Sequence, residues 1–334
     1  MPGMEATRLP MPADEAGRWR AETLVPAQAE AMRTLFAESF GHAMSPALWQ
    51  WKYGDGGGLA SGVWDRDNRL VAHYGGFPRD ILDAGVPRRA VQIGDVMVHP
   101  AERGRLTRHG AFYQAATHFL GHQAGTGAPF LHAFGFPNRR ALTLGERLGL
   151  YHPVGRVTGL EWVPGQGPKL PWYLQLRAWD NHRDAGHLER LWRAMRRDFP
   201  DALIGVRDGT RMARRYLTHP EQAYALWLLR HRLTRRPLGL VVIRELGDRI
   251  EWLDLVAPLD AWDDCALAVL HLARQRGTQR VTLWMTAPFH RHLRVPHQVS
   301  DLDVWVPCNG YTPGPTAESQ RDRWLLTGGD TDFL

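Results

Sequence analysis

Residues 91–110 concentrate the chemistry of this chain. An apolar alternating run from Val91 to Val98 is followed by His99 and Pro100, and then by a loop holding Arg103, Gly104, Arg105, Arg108 and Gly110. Pro100 cannot donate to a sheet ladder, so a strand has to stop there. A helix after the loop leaves its first amides unpaired and points its positive dipole end at the loop. That arrangement suits an anion, with Arg103, Arg105 and Arg108 adding charge-assisted bonds to phosphate-type oxygens. The same residues also make an ordinary solvated basic turn, and their types alone do not choose. Three titratable groups flank the loop: His73, Asp95 and His99. Each is a candidate proton acceptor. Asp95 reads equally as the partner of a nearby Arg, His73 as a satisfied sheet residue, and His99 as a strand cap.

Such residues need a sheet to hold them. Met32, Leu35, Phe36 and Phe40 predict a helix over residues 26–40 with one apolar stripe. Ser45 and Pro46 open a short helical piece carrying Trp49, Trp51 and Tyr53, and the glycines of 54–58 interrupt it. Strands are expected at 60–64, 70–75, near 80–82 and at 90–98. A helix over 110–121 buries Phe112, Ala115, Ala116, Phe119 and Leu120. A strand at 130–134 and a helix at 139–148, with Ala141, Leu144 and Leu148 inward, complete an α/β arrangement whose sheet is at least partly parallel. Residues 155–171, rich in Gly and Pro, read as the connection between halves, with 157–163 as an alternative strand. Beyond it, a helix is expected at 187–197 with Leu188, Leu191, Trp192 and Met195 inward. Strands at 224–229, 239–244 and 250–256, a helix at 262–274, and strands at 280–286 and 302–307 follow. The stretch from Trp49 to Tyr53 precedes one strand pair and the stretch from Arg211 to Tyr216 another. This loose repeat suggests two modules, 18–157 and 158–334.

Residues 90–150 resemble the GNAT superfamily of N-acetyltransferases. The strand ending Val98-His99-Pro100 and the loop from Arg103 to Gly110 resemble its acyl-CoA-binding motif, an Arg/Gln-x-x-Gly-x-Gly/Ala pyrophosphate loop. Gly135, Phe136, Pro137, Asn138 and Ala141, followed by Leu144 through Leu150, resemble the later motif in which Asn and Ala precede a helix ending Leu-Gly-Phe. The resemblance implies a GNAT-like mixed sheet flanked by helices. It also implies tandem modules, the second degenerate because residues 287–295 lack a glycine-rich cradle. It implies acetyl-CoA, or another acyl-CoA, as cosubstrate. Backbone groups of Met97 and Val98 would then hold the pantetheine arm, and the amides from Arg103, Gly104 and Arg105 through Arg108 to Gly110 the pyrophosphate. Asn138 would contact the cofactor or fix the strand after Phe134.

Two departures stand out. Leu106 and Arg108 occupy positions where the family has glycines, leaving Gly110 for close backbone approach. Gly145 stands where the family often has a Tyr that protonates the departing thiolate, so Tyr151 or Tyr74 would have to replace it. Transfer to an amine requires the amine neutral; Asp95 is the first candidate base, with His73 and His99 as alternatives. The run from Trp324 to Leu334 resembles an ending of tandem relatives, some of which bring the terminus into the cleft. Ordinary strand and tail residues are the other description.

Composition bounds the partners. The 334 residues are 44% hydrophobic and 23% charged, enough for one large domain or two ordinary ones. A net charge of +6 and a pI near 9.7 suit nucleic acid, a membrane surface or a nucleotide-like cofactor. Nucleic acid is not expected, because zinc-finger spacing, RNA-recognition signatures and long basic tracts are all missing. Cys265 and Cys308, far apart, fit a reducing compartment. The first residues lack a signal-peptide pattern and no run approaches 18 apolar residues, so the expectation is a cytoplasmic protein without membrane insertion. His290 and His292 lack a third ligand, so no metal is expected. Serine-elbow and nucleotide P-loop motifs are missing as well. The expected function is an acyl-CoA-dependent N-acyltransferase moving acetyl to a primary amine of a small molecule or peptide. A catalytically decayed GNAT-fold ligand-binding or regulatory protein is the alternative, and aminoacyl transfer from charged tRNA a third. The acceptor and the oligomeric state are not legible.

Overall fold

A computed structural model describes residues 18–104 and 107–331. The tail expected up to Gly17, Arg105, Leu106 and the last three residues lie outside the described residues. The chain divides into two compact units, residues 1–77 with 93–123, and residues 78–92 with 124–334.

The first unit starts with β1 (Arg20–Thr23) and α1 (Ala29–Phe40). Met32, Leu35 and Phe36 are buried as their spacing demands, but Phe40 is 49% exposed. It ends the helix beside left-handed Gly41 and stacks on His42 instead of the core. Helix α2 (Pro46–Trp49) is capped by the Ser45 hydroxyl, which accepts from Leu48 N at 3.0 Å. It runs straight into a π-helical turn, Gln50–Gly54, that buries Lys52 and Tyr53. Strands β2 (Leu59–Trp64), β3 (Leu70–Asp83) and β4 (Val86–Val98) follow in the order β1–β2–β3–β4. The separate strand expected near 80–82 is the far end of β3. Helix α3 (Ala111–Gln123) buries Ala115, Ala116, Phe119 and Leu120, with the Phe119 ring 5.4 Å from that of Tyr74. Phe112 is only half-buried.

In the second unit β5 (His132–Phe134) lies parallel to Ala90, Val91 and Gln92. Helix α4 (Arg139–Arg147) buries Leu142 and Gly145; Ala141, expected inward, is exposed in the first turn, where its amide meets the Asn138 cap. Strand β6 (Tyr151–Trp162) takes up the first half of what the sequence suggested as a connection, where 157–163 was the alternative strand. It lies between β13 and β12 in its sheet, and only its stretch Val157–Leu160 is continuously buried. Next come β7 (Leu174–Ala178), α5 (Asn181–Asp198), β8 (Leu203–Gly205) and α6 (Gly209–Met212). Leu188, Leu191, Trp192 and Met195 fill the inner face of α5, as their period requires. Then follow β9 (Ala225–His231), β10 (Pro237–Leu246), β11 (Arg249–Val256), α7 (Trp262–Arg276) and β12 (Arg280–Thr286). The chain continues through α8 (Ala287–His290), β13 (Gln298–Asn309), α9 (Ala317–Gln320) and β14 (Trp324–Leu325). The large sheet has the order β13–β6–β12–β11–β10–β9–β7, with β11 and β12 parallel. Both units are therefore α/β, with mixed sheets flanked by helices. Strands β1, β7, β8 and β14 were not foreseen, and β8 and β14 are too short to show a period.

Candidate functional site

In the first unit, β4 carries Asp95 at φ +48°, a left-handed conformation that a side chain strains to adopt. The carboxylate meets the π-helical turn there. Lys52 Nζ lies 2.7 Å from Asp95 Oδ1, and the Tyr53 hydroxyl donates to Oδ2 at 2.7 Å. Adjacent helical residues point about 100° apart, yet both reach Asp95 because each takes a different oxygen. The ion pair is nearly dry, with side-chain exposures of 6% and 8%. Gly75 makes room for it, since a Cβ at that position would sit 2.7 Å from both Gly94 O and the Tyr53 hydroxyl.

His73 holds the same strand residue from the other side. Its Nδ1 is 2.7 Å from Asp95 O. A carbonyl only accepts, so Nδ1 carries the proton and Nε2 the lone pair. That Nε2 is buried and has no hydrogen-bond partner among the described residues. Burial is the largest influence on His73 and lowers its pKa despite Asp95, so the ring is neutral. For Asp95, burial alone would raise the pKa; the charge and hydrogen bond of Lys52, with Tyr53 and His73, outweigh it and hold the carboxylate ionised.

The sequence reading expected an Arg opposite Asp95, and the structure supplies Lys52. Lys52 and Tyr53 were missed as site residues; only an unmatched Lys within an aromatic stretch hinted at them. Arg103 turns elsewhere. Its Nε donates to Val98 O at 3.0 Å and its Nη2 to Ser39 O at 2.7 Å. Met97 is buried in the core with Met32, Leu35 and Phe77. His99 does act as a cap, its Nδ1 accepting from Ala101 N at 3.2 Å. Gly104 and Arg108 are exposed, and Gly110 is buried just before α3. The first turn of α3 contains no carboxylate, so nothing acidic there offsets the positive end of the helix dipole. Arg105 lies outside the described residues.

Asn138 and Tyr151 belong to the second unit. Asn138 Oδ1 accepts from Ala141 N at 2.9 Å and caps α4. The buried Tyr151 ring fills the space beside Gly145, where any Cβ would overlap it. A phenol therefore occupies the neighbourhood of position 145, delivered from six residues further on. Tyr74 is fully buried against α3. Among the described residues no group of three His, Cys, Asp or Glu is placed to hold a metal ion, and no helix is long and apolar enough to cross a membrane.

Residues 21–139 match a family model described as an acetyltransferase (GNAT) domain. No curated protein matches the chain by sequence. Among solved structures, a GCN5-related N-acetyltransferase from Anabaena variabilis superposes with a TM-score of 0.65 at 13% identity, over 87% of this chain and 72% of that one. One from Kribbella flavida gives 0.62 at 17% identity, over 87% and 71%. Saccharomyces cerevisiae N-myristoyltransferase with bound myristoyl-CoA gives 0.56 at 11% identity, over 93% and 82%.

Proposed function

We propose that this chain is an acyl-CoA-dependent N-acyltransferase, moving acetyl from acetyl-CoA to a primary amine on a small molecule or peptide, a reading supported by the match of residues 21–139 to a GNAT acetyltransferase domain model. The observation that carries the reading is Asp95, held ionised by Lys52 and Tyr53 two residues before Met97 and Val98. The residues fit the cosubstrate: the positive end of α3 carries no carboxylate in its first turn and follows Arg108.

In the reaction the amine nitrogen forms the new N–C bond while the C–S bond breaks. A nitrogen that has begun to bond carbon is far more acidic than a free ammonium, so even a carboxylate of low pKa accepts its proton, directly or through one water. Lys52 and Tyr53 keep Asp95 oriented and deprotonated for that task. His73 is a positioning residue that holds the Asp95 carbonyl. The departing thiolate takes up a proton from solvent. The buried free thiols Cys265 and Cys308 accord with the cytoplasm as the compartment of action.

Asp95→Asn should lower kcat/KM by about 100-fold, the scale of general-base assistance, with acetyl-CoA binding intact. Unchanged turnover and pH profile would remove Asp95 from the reaction. Absence of acetyl-CoA binding to the wild-type chain in calorimetry would remove the acyl-CoA reading itself. One feature favours a second reading, cofactor binding without turnover: the Arg103 guanidinium is engaged with Val98 O and Ser39 O. Binding without product across a broad amine panel would establish it.

A further inference from the structure

The second unit contains a buried ionic cluster that the mechanism above does not use. Arg207 Nε lies 2.9 Å from Asp254 Oδ1, and its Nη2 lies 2.7 Å from Asp330 Oδ2. Tyr216 donates its hydroxyl to Asp254 Oδ2 at 3.0 Å, and Thr327 donates to Oδ1 at 3.1 Å. Burying an Arg with two carboxylates stabilises a fold little compared with apolar residues. Its geometry instead matches the Asp95 site.

Helix α6, capped by Asp208, runs into a π-helical turn, Ala213–Leu217, just as α2, capped by Ser45, runs into Gln50–Gly54. Lys52 and Tyr53 are the third and fourth residues of one turn, and Arg215 and Tyr216 of the other. Each Tyr donates to Oδ2 of an Asp on the third strand that follows. Each of these strands is irregular beside its Asp. Asp95 has φ +48°, and the β10–β11 register slips at Leu253. Each then ends in Val-x-Pro, at Val98 and Pro100 and again at Val256 and Pro258, and a long helix follows.

The copies differ in three ways. The cation on Asp254 Oδ1 is Arg207, whereas Arg215, the positional equivalent of Lys52, donates to Gly329 O and Thr331 O. Helix α7 opens with Asp263 and Asp264, which repel phosphate, where α3 opens without a carboxylate. Asp254 also faces the C-terminal segment. Pairing of β11 with β12 ends at Trp252 and Leu283. Beyond that point Leu326 O accepts from Thr286 N at 3.0 Å, and Thr327 bridges Met285. Gly329 O accepts from Arg215 Nε at 3.2 Å, and a Cβ on Gly329 would overlap the Tyr216 hydroxyl.

We propose that the Asp254 site is a second copy of the Asp95 site whose ligand is the chain's own segment, residues 326–331. The segment binds as a short extended peptide, with a hydroxyl on the copied carboxylate and the Asp330 carboxylate on Arg207. The inference holds whether or not the chain transfers acyl groups. A bound ligand opens independently of its receptor; an integral core segment does not.

Hydrogen exchange on full-length Gly329→Val should accelerate at residues 326–331 by about 100-fold or more, with β9, β10 and β11 still protected. A labelled peptide of residues 324–334 should bind that variant one to one, fail to bind wild type, and lose binding when Asp254→Ala is added. A folded Gly329→Val chain that keeps the segment protected, or binds no peptide, overturns the proposal. If Gly329→Val does not fold, Thr327→Val decides. Faster exchange confined to 326–331 supports the receptor, and a uniform rise across the unit overturns it.

Discussion

Lys52 decides what Asp95 can be. A carboxylate this dry would bind a proton on its own, and the ammonium 2.7 Å away reverses that preference. Lys52→Met leaves the charge buried and uncompensated. It should cost about 3 kcal/mol in urea unfolding and move the acidic limb of the pH–rate profile upward. Asp95→Leu in the same chain should restore most of the stability while leaving activity lost. The pH dependence of folding follows from the same residues. The lowered pKa of Asp95 gives stability that is present above its unfolded value of about 3.9 and lost as pH falls through the folded one. His73 is held neutral, so below about pH 6.5 the unfolded chain takes up a proton that the folded chain refuses, and stability falls there first. His132, also lowered by burial, adds to that early loss. His73→Gln should therefore make the decline in unfolding midpoint between pH 7 and 5 shallower without abolishing it. An unchanged decline would show that His73 does not titrate with folding.

Among the elements, those with one buried face were legible and those without were not. The apolar period located α1, α5 and α7 to within a few residues because each packs a single stripe. Strand β6 was legible only as the alternative strand at 157–163, because its Gly and Pro residues mimic a linker. The inner face of α4 was misread for a related reason. One of its two buried positions is a glycine, which no hydrophobicity pattern marks, and the Tyr151 ring supplies the apolar surface there from outside the helix. Gly145→Ala should consequently destabilise by about 2 kcal/mol through overpacking. Tyr151→Ala, which removes the ring, should make the same substitution nearly neutral. Additive losses in that double-mutant cycle would show that the two residues do not compete for the space.

Over the whole chain, the proposed function implies a single cosubstrate site, because the first turns of α3 and α7 differ in charge. Helix α3 follows Gly110 and Arg108 and carries no carboxylate at its start, whereas α7 carries two. Calorimetric titration with acetyl-CoA should reach saturation at one equivalent. Arg108→Glu should weaken that binding about tenfold by placing a like charge beside the phosphates. Two equivalents, or indifference to Arg108, would mean that the phosphates sit elsewhere.

The sequence by itself determined the strand that stops at Pro100, the loop after it, Asp95 as the carboxylate of interest and the helix that starts after Asn138. These are local matters of backbone chemistry and spacing, readable wherever proline, glycine and a short run of neighbours suffice; that Asn138 caps α4, where a cofactor or strand contact was expected, came from the structure. It also held both halves of the repeated Tyr and Asp pattern, only loosely visible because the pairs are about 40 residues apart in each copy. Tertiary structure alone decided that Lys52 and Tyr53 meet Asp95, that Tyr151 fills the space at Gly145, and that residues 326–331 cover Asp254. Each depends on residues distant in sequence arriving at one dry place. There the energy comes from pairing and exclusion of water, and no local pattern records it.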